Sequence, residues 1–270
     1  YKNPVIDADY SDPDAIRVGD DFYMISSSFN HVPGLPILHS KDLVNWVKHP
    51  RVIDTSIIKW AYMAMWAPSI IQKGKQYFLF FSANDIQSSE RKGFGANNPD
   101  KDDKVGGIGI AVASKPEGPY KNISGNATRP IYGNIDASLF EDDNGEVYVV
   151  AHNHFIAKMN KDLSDLDEPY QKIKETPYNP EPYIEGVFMT KHHGKYILMQ
   201  TVWSVRTGEN EFTYLPVDKK TGNALHSYDV VIAEADSPYG PFNERYPAIL
   251  QGGHNNLFVD KKGDWWSTTF

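Results

Sequence analysis

The chain contains no cysteine. Disulfides, thiolate metal sites and cysteine nucleophiles are thereby excluded, while the cellular compartment stays open. Basic residues are in the minority: 27 Lys and Arg stand against 35 Asp and Glu, a formal net charge of −8. Phosphate neutralisation needs a basic stripe, and none is present, so nucleic acid is not an expected partner. An acidic chain has no attraction for an anionic membrane surface, and no apolar run is long enough to span a bilayer. Sustained helical periodicity is missing too, so almost no helix is expected. The opening residues, Tyr1-Lys2-Asn3-Pro4-Val5, have neither the charged nor the apolar region of a signal peptide.

What is present is short, aromatic-rich strand. The length of 270 residues suits one large domain or two small ones. Phe22–Ser26, Gln76–Phe81, Gly107–Val112, Glu146–Val150, Lys195–Met199 and Tyr228–Ile232 are β-branched or aromatic runs bounded by turn residues. Asp142-Asp143-Asn144-Gly145 and His193-Gly194 read as hairpin turns, since Asn and Gly tolerate the positive φ such turns need. The stretch from Ser88 to Asp103 is polar and reads as a surface loop, either a plain insertion or a rim over a site.

One pattern recurs five times: a polar or aromatic head, a short apolar strand, a glycine turn, then an aromatic strand. The heads are Asp12, Trp66, Asp136, Glu185 and His254, and the glycines are Gly19, Gly74, Gly145, Gly194 and Gly263. Asp136, Glu185 and His254 each stand nine residues before their glycine, Asp12 seven. A repeat of this size with short strands predicts an all-β, five-bladed β-propeller rather than a solenoid. The chain reaches Phe270 within the fifth unit, so that blade is expected to be incomplete. Residues 1–270 are read as a single propeller domain.

In a propeller the first strand of each blade lines the central axis, so the heads would converge. Carboxylates crowded into a desolvated pocket cannot all keep ordinary pKa values, and their separation assigns acid and base roles. Glycoside hydrolysis needs that arrangement. Each head also has a plainer reading. Asp12 and Asp136 could be Asx-turn residues, and His254 could be a satisfied interior histidine. Glu185, between Ile184 and Gly186, is harder to explain without a partner or a task.

Several of these residues resemble glycoside hydrolase family 43. Its opening blade is similar to Asn3-Pro4-Val5, Ser11-Asp12-Pro13-Asp14, Arg17 to Tyr23, Ser27-Ser28-Phe29 and Pro33 to Trp46. Trp66-Ala67-Pro68, Ile135 to Phe140, Ile184-Glu185-Gly186 and Gly253-His254-Asn255 look like later landmarks in the same order. The resemblance implies a five-bladed propeller and inverting cleavage of arabinosyl or xylosyl linkages. By the same resemblance Asp12 would be the general base, Glu185 the general acid, and Asp136 the carboxylate that holds the acid in place and keeps it protonated. Phe29 and Trp66 would wall the sugar pocket. His254 would lie near an axial cation, commonly Ca²⁺ and often coordinated through water; no cofactor is otherwise required. Ala137, where many relatives carry Pro, and Gly186-Val187-Phe188, in place of the frequent Gly-Pro-His, blur the choice between arabinose and xylose.

The leading expectation is an exo-acting glycosidase on plant oligosaccharides or polysaccharides, secreted or periplasmic, with a cytoplasmic place left open. Asp12 and Glu185 should lie about 6.5–9.5 Å apart, leaving room for a water. A carbohydrate-binding propeller without catalysis would keep the aromatics but has no need of three carboxylates. An endo-acting arabinanase-type hydrolase is a second alternative. A retaining fructan-processing propeller would carry Asn-Asp-Pro-Asn-Gly and Arg-Asp-Pro, neither of which is here. The segment Thr201–Arg206 is expected to supply specificity contacts, with Arg206 itself a solvated charge.

Overall fold

The computed structural model describes residues 2–29, 34–50, 52–53, 61–85, 106–123, 131–132, 135–152, 154–177, 184–206, 212–214 and 226–270. Among these residues the regular structure is entirely strand. The expected loop between Ser88 and Asp103 lies outside them.

Four sheets follow one another along the chain, each a meander of antiparallel strands. The first blade is β1 (Asp14–Val18), β2 (Asp21–Ile25), β3 (Ile37–Ser40) and β4 (Trp46–Lys48). The second is β5 (Ala61–Lys73), β6 (Gln76–Asp85), β7 (Gly106–Ala113) and β8 (Lys121–Asn122), with β9 (Ile131–Tyr132) also on β7. The third is β10 (Ser138–Glu141), β11 (Val147–Ala151), β12 (Phe155–Lys158) and β13 (Gln171–Lys172). The fourth holds β14 (Ile184–His192), β15 (Lys195–Arg206), β17 (His226–Ala235) and β18 (Tyr246–Ile249), with β16 (Phe212–Tyr214) on β15. A last sheet has two strands, β19 (Leu257–Val259) and β20 (Trp265–Ser267).

The β-propeller arrangement agrees with the sequence; the blade number is corrected. Four blades are complete rather than five, because the stretch after His254 forms only two paired strands. The hairpin chemistry explains the sharp reversals. His192 pairs with Lys195, so His193 and Gly194 alone make the turn, at φ 46° and 78°. Positive φ at both central residues is the hairpin turn whose twist suits the flanking strands.

Packing is blade against blade. The first interface is built on Ile25, Ile37, Met65, Leu79 and Phe81, and the second on Phe80, Ile110, Leu139 and Val149. The third uses Phe140, Tyr148, Met189 and Leu198. Middle strands are therefore buried on both faces, and every residue of β11 is inside. Phe80 and Phe81 are both fully buried on opposite faces of β6; truncating either to Ala should cost about 3–5 kcal/mol.

The end of the chain closes onto its beginning. Asn256 accepts from the Ala15 N–H at 3.1 Å and donates to the Ala15 carbonyl at 2.8 Å, while Thr268 donates to the Pro13 carbonyl at 2.8 Å. Phe258 packs on Phe22 with ring centroids 6.1 Å apart. Asp14 joins three elements: its carboxyl accepts from Asn256 and from the Ile70 N–H of β5, the latter at 3.0 Å.

Candidate active site

Each of the four blades, and the closing two-stranded sheet, has a residue with left-handed backbone in or shortly before its first strand: Asp12 (φ 50°), Ala67 (45°), Asp136 (52°), Gly186 (51°) and Gly253 (64°). In β5 and β14 the register slips at this point, between Trp66 and Ser69 and between Glu185 and Phe188. Such bulges re-aim side chains out of the regular alternation. The kinks are stitched blade to blade. The Ala67 N–H donates to Ser27 Oγ at 2.8 Å, the Asp136 N–H to Ser82 Oγ at 3.0 Å, and the Gly186 N–H to Asp136 Oδ2 at 3.5 Å.

These kinks bring the expected heads together. Asp12 accepts a short hydrogen bond from Ser27 Oγ, and its Oδ1 lies 3.6 Å from His254 Nδ1. One ligand-type atom each from Asp136, His152 and Glu185 lies within 4.8 Å of the other two. Glu185 Oε2 accepts from Trp203 Nε1 at 3.2 Å and from Tyr228 OH at 3.1 Å, and the two rings stack with centroids 4.6 Å apart. Phe29 and Trp66 pack with Ala67 and Ile135, the residue that precedes Asp136 in the chain. Trp66 is buried and Phe29 half-buried.

Electrostatics separate the carboxyls. Burial pushes Asp12 upward, but the hydrogen bond and charge of His254, with Ser27 and the Ala67 N–H, outweigh it and hold the group below its ordinary 3.8. Asp136 is pushed up to about 7, first by burial and further by Glu185 and Asp12, against the pull of His254 and the Gly186 N–H. His254 loses from burial yet rises to about 9 beside Asp12, Asp136 and Glu185. His152 goes the other way, to about 4, because burial dominates. Its ring nitrogen stands 3.7 Å from Asp136 Oδ2, but near neutral pH that is a contact of a neutral imidazole, not an ion pair.

At neutral pH the site therefore holds one firmly ionised carboxylate paired with an imidazolium, next to a second carboxyl that shares a proton. A direct bond from His254 to a cation does not fit these surroundings. Its Nδ1 faces Asp12 Oδ1 across 3.6 Å, and the ring lies so close to Gly186 that a Cβ there would come 2.7 Å from Cγ. The spacing of Asp136, His152 and Glu185 would admit a cation, and we assign none to it. A separate cavity of about 780 Å³, lined by Tyr10, Trp46, Phe258 and Trp266, includes none of these carboxyls.

Sequence reasoning missed Ser27, Ser82, His152, Trp203 and Tyr228 as individual residues. A signal for the serines was present, since Ser27 and Ser82 each stand eight residues after a hairpin glycine, Gly19 and Gly74. Trp203 falls within the segment Thr201–Arg206 expected to supply contacts; the Arg206 side chain lies outside the described residues.

Comparison with known proteins agrees with this geometry. The sequence model of Glycosyl hydrolases family 43 matches residues 1–269. The chain is 29% identical over 296 aligned positions to the beta-D-galactofuranosidase xynD of Aspergillus niger, covering 98% of this chain and 74% of that protein. It is 30% identical over 283 positions to a xylosidase/arabinosidase of Butyrivibrio fibrisolvens, covering 98% of this chain and 49% of the relative. Among solved structures, the GH43 BlXynB protein from Bacillus licheniformis superposes with a TM-score of 0.73 at 23% identity, over 99% of this chain and 49% of that one. The chain thus spans about half the length of the last two.

Proposed function

The chain belongs to glycosyl hydrolases family 43, and from that premise we propose that it removes terminal α-L-arabinofuranosyl or β-D-xylosyl units from plant oligosaccharides or polysaccharides with inversion at the anomeric carbon. One observation carries the reading: three carboxyls from three blades meet in one site, and burial and His254 drive Asp12 and Asp136 apart in protonation.

In the proposed step a water lies between Asp12 and the anomeric carbon. Its oxygen bonds to that carbon as Asp12, ionised and positioned by Ser27 and His254, takes its proton. The bond to the leaving oxygen breaks with its electron pair, and Glu185 gives that oxygen a proton. Asp12 ends protonated and Glu185 ionised; solvent restores both. Asp136 touches neither reacting bond in this scheme. It accepts from the Gly186 N–H, and so holds the backbone next to the acid in place. Phe29 and Trp66 would form the apolar side of the glycon site.

The pentose assignment draws on the xylosidase/arabinosidase relative, and the galactofuranosidase relative adds galactofuranosides to the substrates worth assaying. No cofactor is needed for the step. A Ca²⁺ ion on the axis, reached from His254 through water, stays a proposal that chelator treatment and Ca²⁺ return would test. The two-stranded sheet β19–β20 closes the chain onto the first blade: Phe258 of β19 packs on Phe22, and the flanking Asn256 and Thr268 bond Ala15 and Pro13. Residues 1–270 form one catalytic unit in this reading, and a secreted or periplasmic place would suit polymeric substrates, with a cytoplasmic one left open.

The test is a panel of nitrophenyl α-L-arabinofuranoside, β-D-xyloside and β-D-galactofuranoside, followed by NMR of the first sugar anomer released. Hydrolysis of a pentoside with inverted product is expected. The retained anomer would replace single displacement by a covalent route, and binding without turnover would favour a carbohydrate-binding propeller.

A further inference from the structure

Trp203 lies in the segment expected to supply specificity contacts, whereas Tyr228 was not brought forward as a site residue; neither was expected to touch Glu185. Trp203 lies on β15 and Tyr228 on the neighbouring β17, where the two residues pair across the strands. Their rings stack at 26°, which fixes the indole N–H and the phenol O–H relative to one another. Both donate to the same atom, Glu185 Oε2. Nothing about the fold demands this, since Trp203 is exposed and an exposed indole could bond water.

We infer that Trp203 and Tyr228 are positioning residues for Glu185, making Oε2 a permanent acceptor and leaving Oε1 to carry the proton given to the leaving group. This rests on the glycosidase reading above. A protonated carboxyl has one hydroxyl oxygen, a poor acceptor, and one carbonyl oxygen, a good one. Two donors aimed at Oε2 select it as the carbonyl oxygen and select Oε1 as the hydroxyl. When the proton leaves Oε1 for the departing oxygen, the carboxylate gains a full charge. Both hydrogen bonds then become charge-assisted and strengthen. They are stronger after transfer than before, which is the condition for an interaction to accelerate the step rather than merely bind.

The arrangement also counters the rest of the site. Asp12 and Asp136 oppose new negative charge on Glu185; His254 and these two donors favour it, and His152, kept neutral by burial, adds none. Tyr228 cannot lose its proton to this task, because burial and the surrounding carboxyls push its phenol well above the usual range.

Trp203→Phe and Tyr228→Phe remove one donor each and keep the rings. The readout is kcat against a series of aryl and alkyl pentosides of falling leaving-group acidity. Each variant should lose roughly tenfold or more with alkyl leaving groups, as expected for a hydrogen bond to a charged group. Loss with nitrophenyl pentosides should stay within about threefold. A steeper dependence on leaving-group acidity, with KM little changed, supports the inference. Equal losses across the series, or none, overturn it. Trp203 is exposed, so its variant reports even where Tyr228→Phe is too unstable to assay. A wild-type chain that cleaves no glycoside of the series overturns the glycosidase reading itself, which separates that failure from this one.

Discussion

His254 directs its Nδ1 at Asp12 Oδ1 across 3.6 Å, and each residue holds the other in its charged form. The pair sets a pH window for stability. For His254, raised from 6.5 to about 9, the contribution is complete below 6.5 and is lost as pH rises through about 9. For Asp12, lowered from 3.8, it is present above 3.8 and is lost only as pH falls further. Thermal unfolding of wild type and His254→Gln should therefore differ most between pH 3.8 and 6.5, with the curves converging as pH passes about 9. A difference constant from pH 5 to 10 would remove the ion pair from the account.

Ser27 is the second hold on Asp12, donating to its carboxylate while accepting from the Ala67 N–H. Ser27→Ala removes a donor to the charged form, so the acid limb of kcat/KM should move up by about one pH unit. An unmoved limb would mean that Asp12 does not titrate in that limb.

Gly186 and Gly194 both have positive φ, at 51° and 78°, but only Gly186 has a neighbour in the way. Alanine at 194 meets open space and should cost only its backbone strain, about 1 kcal/mol. Alanine at 186 adds a clash with His254 to that strain and should cost at least about 2 kcal/mol more. It should also depress activity, because the displaced ring holds Asp12. Denaturant curves for the two variants compare them directly; equal costs would show that His254 can yield.

Much of this was legible in the sequence, and the exceptions have physical causes. Strands such as Gln76–Phe81 and Lys195–Met199 announce themselves by aromatic and β-branched runs between turn residues, and the two-residue turn His193-Gly194 fell where Gly chemistry placed it. The heads Asp12, Asp136, Glu185 and His254 do share one site. Their equal spacing from the hairpin glycine, however, does not mean equal backbone positions. Asp136 is itself left-handed, whereas Glu185 and His254 leave that conformation to Gly186 and Gly253. Bulges absorb the difference, and a bulge has no reliable mark in a single sequence. Trp203 and Tyr228 were hidden for another reason: they meet at Glu185 only through the pairing register of β15 with β14 and β17, and that register is not written locally.

Asp14 offers a stability test away from the reaction. Its buried carboxyl, pushed up to about 7 chiefly by desolvation, accepts from Asn256 and the Ile70 N–H. Asp14→Ala leaves both donors buried without that acceptor, at about 1–3 kcal/mol each. Because these bonds join the first blade to the second and to the closing sheet, unfolding should stay cooperative but shift to lower denaturant. A loss under about 0.5 kcal/mol would show that water replaces the carboxyl.

The central claim is that Asp12 and Glu185 divide base and acid work. It is tested most directly by kcat of Asp12→Ala and Glu185→Ala on two substrates, one releasing nitrophenolate and one an alcohol. Asp12→Ala should lose about 10²–10⁴-fold on both, because water must be activated whatever departs. Glu185→Ala should lose as much with the alcohol and far less with nitrophenolate, which scarcely needs a proton. Equal loss on both substrates for Glu185→Ala, or a leaving-group-dependent loss for Asp12→Ala, would contradict the assignment.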